Sequence, residues 1–160
     1  MLALFRAIVY ATLFVGLLLV LLPGWILEAS GIERPEQIGP AEVASLAVLV
    51  LGAALALGCI LTFALVGQGT PAPFDPPRNL VVAGPYRWVR NPMYIGAGLV
   101  LVGAGLFYAS VGLLAFAVGF WTAAHLFVVF YEEPTLLRAF GAQYSDYYHA
   151  VPRWLPTWRS

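Results

Sequence analysis

Two polar clusters interrupt an otherwise apolar chain, and their residue types are those that hold charged small molecules. The first is Gly84-Pro85-Tyr86-Arg87-Trp88-Val89-Arg90-Asn91-Pro92-Met93-Tyr94-Ile95-Gly96, basic, aromatic and rich in turn formers. The second is Glu132-Glu133, at the end of a later apolar run. An arginine-rich loop and a carboxylate pair at one membrane face suit a zwitterionic or cationic ligand at the bilayer surface. Asn is a good N-cap and Pro suits the first helical position. One reading of Arg90-Asn91-Pro92 is therefore a helix start, with Arg90 reaching up to the headgroups. The same helix start, with unpaired N–H groups and the positive dipole end, is also a site for a carboxylate or phosphate. Glu132 and Glu133 stand at a helix C-terminus, where the dipole disfavours negative charge. Facing water they need no partner, whereas facing the bundle they need a cationic one. His125, about two turns earlier, is a functional candidate by virtue of its depth, with a packing histidine as the plainer reading. His149 lies in the polar tail and reads as solvent-exposed.

The elements that must position these groups follow from composition. The 160 residues are 61% hydrophobic and 10% charged, with a formal net charge of zero. Soluble domains carry roughly 25% charged residues, so this deficit, with a mean hydropathy of +0.85, predicts an integral membrane protein. Zero net charge gives no polybasic tract for nucleic acid or anionic lipid. The lone cysteine, Cys59, excludes an intramolecular disulfide and a cysteine-based metal cluster, and reads as a small buried hydrophobe. With two histidines besides, no metal site is expected.

The fold class expected is all-α: a polytopic membrane protein of four transmembrane helices with a cytoplasmic C-terminal helix, forming one domain over residues 1–160. The spans fall at about 4–27, 41–66, 93–108 and 111–131, each set against the roughly 20 residues that cross the hydrocarbon. The last two come from one run, Met93 to Tyr131, divided near Tyr108-Ala109-Ser110-Val111-Gly112. The third, at about 24 Å, is short for a full crossing. Arg6 and the small residues Ala29 and Ser30 loosely fit a signal peptide, but the first apolar stretch exceeds the 7–15 residues of an h-region. Four spans put both termini and the 67–92 loop on one side, together with Arg6, Arg78, Arg87, Arg90, Arg138, Arg153 and Arg159. Arg34 lies opposite, with Glu28, Glu33 and Glu36. The positive-inside rule makes the arginine-rich side cytoplasmic, in a bacterial inner membrane.

Small residues recur within the spans: Ala54 and Gly58 four apart, and Gly96 with Gly103 and Gly98 with Gly105 seven apart. These spacings let neighbouring backbones approach closely. The stretch from Gly69 to Arg78 is Pro-rich and non-helical, either a linker or a cover over a site. After Glu133 the tail, residues 132–160, reads as an amphipathic helix with Leu137, Phe140, Gly141, Tyr144 and Tyr148 on one face. Pro134 sits in its first turn or kinks a helix continuing from the fourth span. Val151-Pro152-Arg153-Trp154-Leu155-Pro156-Thr157-Trp158 reads as an interfacial strip with its Trp residues at headgroup level.

The two motifs in this order, joined by an apolar hairpin and followed by Pro134, Leu137, Phe140-Gly141, Tyr144, Tyr147 and Val151-Pro152-Arg153, resemble the isoprenylcysteine carboxyl methyltransferase family. More broadly they resemble the integral-membrane methyltransferases that include phospholipid N-methyltransferases. The resemblance covers about Gly84 to Pro156. It implies S-adenosyl-L-methionine as cofactor and a lipophilic or lipid acceptor as partner. It also implies a cofactor site built from Gly84, Pro85, Tyr86, Val89, Arg90, Asn91, Pro92, Tyr94, Gly96, Glu132, Glu133, Tyr144 and Tyr148. The loop residues would hold the methionine and ribose end, Glu132 or Glu133 the α-ammonium, and Tyr144 and Tyr148 the adenine. Glu133, His125 and Arg90 are the candidate catalytic groups, His125 or a glutamate being the available base for an amine or thiol acceptor.

The chain departs from this pattern twice. Asn91 stands where most eukaryotic members have His, so no proton transfer is expected there. No Arg precedes the acidic pair, where Phe127-Val128-Val129-Phe130-Tyr131 stands instead. Two rivals are a membrane reductase with a nicotinamide cofactor and a non-enzymatic scaffold or transporter subunit. The reductase would need a basic set for a 2′-phosphate, and the transporter would need symmetric halves or a polar stripe.

Overall fold

The computed structural model describes residues 16–67 and 79–156, and every regular element among them is helical. The helices are α1 (Gly16–Ala29), α2 (Pro40–Gly67), α3 (Pro92–Phe107), α4 (Val111–Phe140) and α5 (Ala142–Ala150). Two of them, α2 and α4, are long and apolar enough to cross a membrane, whereas α1 and α3 are shorter apolar helices. Residues 4–15 of the first expected span, the Pro-rich stretch up to Arg78, and Arg6, Trp158 and Arg159 lie outside the described residues.

Glycines set the helix packing. A Cβ on Gly96 would stand 2.7 Å from the Gly52 carbonyl and 2.8 Å from the Ala56 nitrogen, and one on Gly103 2.6 Å from the Leu49 nitrogen. These contacts are backbone on backbone, so α3 lies directly on α2. The second seven-residue pair serves the other neighbour. A Cβ on Gly98 would run into the Trp121 indole, and one on Gly105 would stand 2.7 Å from Leu114 Cδ2. Helix α3 therefore presents one glycine pair to α2 and the other to α4. On α2 the small residues at the crossing are Gly52 and Ala56. Ala54 is exposed and Gly58 meets nothing, because both fall on another face of that helix.

The turn between α3 and α4 falls where the apolar run was divided. It is a Schellman closure: Ser110 N–H donates to Gly105 O (2.8 Å) and Ala109 N–H to Leu106 O (3.1 Å). Ala109 takes the left-handed position at φ 47°, which glycine usually fills. The Ser110 hydroxyl then caps α4 by accepting from Leu113 N–H (3.2 Å).

Helix α4 runs unbroken past Tyr131 to Phe140, the continuing helix that was one of the two expectations for Pro134. Pro134 has no N–H and its ring crowds the carbonyl four residues back. The helix accommodates it with a wider turn over Val128–Glu132, where Glu133 N–H bonds to Val128 O, five residues back. Pro23 in α1 follows a similar wide turn at Gly16–Leu21. The tail is likewise two pieces rather than one helix. Gly141, at φ 54° and ψ −123°, turns the chain between α4 and α5 in a conformation suited to glycine. The break dissolves the single apolar face expected of the tail: Tyr144 is buried, while Leu137 and Tyr148 are exposed.

Candidate active site at the polar end of the helices

The loop before α3 is anchored first. Gly84 (φ 57°) packs its backbone on Thr62 of α2, so that a Cβ there would meet the hydroxyl at 2.8 Å. Pro85 opens a 3-10 turn, Gly84–Arg87. Tyr86 is buried edge-on to Phe63, with ring centroids 5.2 Å apart, and burial pushes its phenol well up. Val81 and Val89 are buried beside this turn. Gly84, Pro85, Tyr86 and Val89 thus hold the loop in place, and Gly96 holds α3 against α2.

This anchoring delivers Arg90 and Asn91 to the start of α3. Pro92 occupies the first helical turn as expected. Asn91 precedes it but makes no side-chain cap. Its amide instead donates to the carbonyl of Arg153 (3.2 Å). Among the described residues the N–H groups of Met93 and Tyr94, in the first turn of α3, have no intrahelical or capping acceptor.

The wide turn in α4 brings both glutamates inward. Glu133 is 9% exposed and sits between two guanidiniums. Its Oε1 accepts from Arg90 Nη1 (2.9 Å) and Arg153 Nε (2.8 Å), and its Oε2 from Arg153 Nη2 (2.9 Å). These hydrogen bonds push the Arg153 guanidinium up, so it stays charged. Glu132 makes a different contact: its Oε2 accepts from the Tyr94 hydroxyl (3.0 Å). Arg90 also lies 4.0 Å above the Tyr148 ring, a cation–π contact. Its Nε is buried and meets no acceptor among the described residues. Tyr144, buried beside this group, has its phenol pushed up to about 12, by burial first and by the charge of Glu133 second.

Residues 152–154 form a strap across this end. Pro152 O accepts from Arg90 N–H (2.9 Å), Arg153 clasps Glu133, and the Trp154 indole donates to His125 Nδ1 (3.1 Å). Tyr147 of α5 adds a bond to the Tyr86 carbonyl (2.8 Å). Trp154 folds back onto α4, its ring centroid 5.2 Å from Trp121 and 6.5 Å from Tyr94, and His125 takes its N–H. His125 is exposed and engaged with Trp154, some 12 Å along α4 from Glu133 at 1.5 Å per residue. His149 is exposed and bonds the Ser145 carbonyl within its own helix.

The fold thus gathers Arg90, Asn91, Tyr94, Glu132, Glu133, Tyr144 and Tyr148 at one end and leaves His125 apart. Arg153 and Trp154 join them, although neither was among the candidate site residues. An acidic pair that needs a cationic partner wherever it faces the bundle was the available signal for Arg153. An open cleft of about 430 Å³ lies beside this end, lined by Asn79, Leu80, Val82, Phe140 and Gln143. No group of three or more His, Cys, Asp or Glu comes together among the described residues.

Residues 38–143 match the phospholipid methyltransferase family, more than half of the chain. The chain belongs to the phospholipid methyltransferase family. It is thereby a membrane methyltransferase of the isoprenylcysteine/phospholipid methyltransferase superfamily, as the two motifs led us to expect. Among curated proteins no relative matches it. The matched stretch ends at Gln143, short of Tyr144, Tyr148, Arg153 and Trp154.

Proposed function

We propose that this protein transfers a methyl group from S-adenosylmethionine to a lipophilic acceptor carrying an amine, at the cytoplasmic face of a membrane crossed by α1 to α4. The observation that carries the reading is a split charge. Arg90 and Arg153 with Glu133 amount to two positive charges and one negative, a net +1, and Glu132 beside them, whose carboxyl burial pushes up, adds −1 when ionised. A zwitterionic amino-acid end matches this pattern in both halves. The unpartnered Arg90 Nε and the free N–H groups of the first α3 turn suit its carboxylate. The glutamate pair suits its ammonium, and the rings of Tyr144 and Tyr148 offer aromatic faces.

S-adenosylmethionine, when bound, supplies an electrophilic methyl group on a sulfonium. The chain's own task is then to align an acceptor with that methyl and to keep water out. The strap does the second by closing over the polar cluster. The acceptor approaches sideways between apolar helices. An amine fits better than the isoprenylcysteine carboxylate, because Phe127 to Tyr131 of α4 offers no cation to hold an acceptor carboxylate. An amine must lose a proton, and a glutamate of the pair is nearer the cluster than His125. Seven of eight arginines fall on the side of this cluster in the four-span arrangement, which orients it to the cytoplasm.

The test is calorimetric titration of the detergent-purified protein with S-adenosylhomocysteine, followed by labelled methyl transfer to vesicles containing an ethanolamine-headgroup phospholipid. Saturable binding and labelled lipid are expected. Folded protein that binds nothing would sink the reading. Transfer to a farnesylcysteine analogue in place of the amine lipid would move the acceptor to the carboxylate class.

A further inference from the structure

The adjacent glutamates are bonded too differently to share one role. Glu133 is saturated: both its oxygens are engaged, by three N–H donors from two cations. An incoming ammonium would have to displace Arg153 from a two-bond clasp and release the strap that Arg153 holds. Glu132 has no cation on it among the described residues; its bond is to the neutral Tyr94 hydroxyl. A carboxylate with one neutral donor keeps most of its attraction for a cation, while one flanked by two guanidiniums does not. The ring of Tyr94, whose hydroxyl reaches Glu132, offers an aromatic face at this carboxylate, which favours an organic ammonium.

From these contacts we infer that the pair divides its labour. Glu133 is a positioning residue that fastens the strap to Arg90, and Glu132 is the carboxylate that meets the ligand's ammonium. The inference rests on the methyltransferase reading above. The ammonium has two possible sources, the cofactor's α-amino group and the acceptor's amine, and the same chemistry serves both. Tyr94 orients Glu132 by holding Oε2, so that its other oxygen faces the ligand.

The experiment uses the full chain in nanodiscs and compares Glu132→Gln, Glu133→Gln, Glu133→Asp and Arg153→Gln. Affinity is measured for S-adenosylhomocysteine and for its analogue lacking the α-amino group. Backbone hydrogen exchange is followed over residues 150–156. Glu132→Gln should weaken S-adenosylhomocysteine at least tenfold, leave the deamino analogue unchanged, and leave strap exchange as in the parent. Glu133→Gln and Arg153→Gln should speed strap exchange at least tenfold and weaken both ligands by a similar factor. Glu133→Asp should restore part of both. If Glu132→Gln spares both ligands but raises the KM for an ethanolamine-headgroup lipid, the inference holds with the acceptor as the source. If Glu132→Gln changes neither, or if Glu133→Gln removes the ammonium-dependent affinity with the strap intact, the division of labour is wrong. Parent protein that is folded yet binds no S-adenosylhomocysteine overturns the methyltransferase reading and the role of Glu132. The strap assignment is then decided by the exchange rates alone.

Discussion

The α2–α3–α4 packing and the strap junction hold the same helices together by opposite means. In the first, Gly96 and Gly103 let α3 meet the backbone of α2, and Gly98 and Gly105 make room for the Trp121 and Leu114 side chains of α4, with no charge between the helices. In the second, Arg90, Arg153 and Glu133 meet through charge-assisted hydrogen bonds at the polar end. A backbone contact has no flexible group that can give way, whereas an ion pair can exchange one partner for another. The difference separates a fixed scaffold from a junction that a charged ligand can address.

The strongest way to break the comparison is at the scaffold. Gly96→Leu would drive a side chain into the backbone of α2 at Gly52 and Ala56. A loss of about 3 kcal/mol or more is expected from such overpacking. It should appear as failure to elute as a single species in detergent, or as a large fall in the thermal midpoint. Next is Arg90→Met, which removes a cation from a buried carboxylate. Breaking one side of a buried pair costs about 3–5 kcal/mol when no other partner remains. Since Arg153 stays, about 2 kcal/mol is expected, with loss of S-adenosylhomocysteine binding, both read by thermal shift with and without ligand. If Arg90→Met proved more damaging to folding than Gly96→Leu, the scaffold and junction would have to trade places.

Smaller changes sharpen the contrast. Trp154→Phe keeps the ring against Trp121 but removes the donor to His125. It should cost about 1 kcal/mol, shown by faster hydrogen exchange at residues 150–156 with an unchanged thermal midpoint for the helices. Ala109→Gly should do the reverse, relieving the left-handed alanine in the α3–α4 turn. A gain of up to about 1 kcal/mol is expected, read as a rise of a few degrees in the unfolding midpoint with ligand affinity unaltered.

The scaffold was the more legible region. Apolar run lengths located α2 and the α3–α4 division, and seven-residue spacing picked out both glycine pairs of α3. Periodicity cannot say which neighbour a small face meets, so Gly52 was passed over in favour of Ala54 and Gly58. The site motifs were legible as residue types, since Arg90, Tyr94 and the two glutamates do converge. Their connections were not. Asn91 has the residue type of a cap, but a carbonyl 62 positions away takes its amide. Pro134 and Gly141 both read as punctuation; the helix absorbs Pro134 with a wide turn and stops at Gly141, where the backbone needs a positive φ. Nothing local in Val151–Pro156 foretells that Trp154 would turn inward, because its acceptor, His125, lies 29 positions earlier.

Chain order gives the strap one more property. Residues 152–154 leave the ribosome after every helix they fasten, so Arg153 can reach Glu133 only after α3, α4 and α5 have been synthesised. Until then Arg90 is the only one of the two cations able to steady that carboxylate. Assembly of the charged cluster therefore follows the synthesis of α1 to α5, and the ligand-ready arrangement cannot precede them.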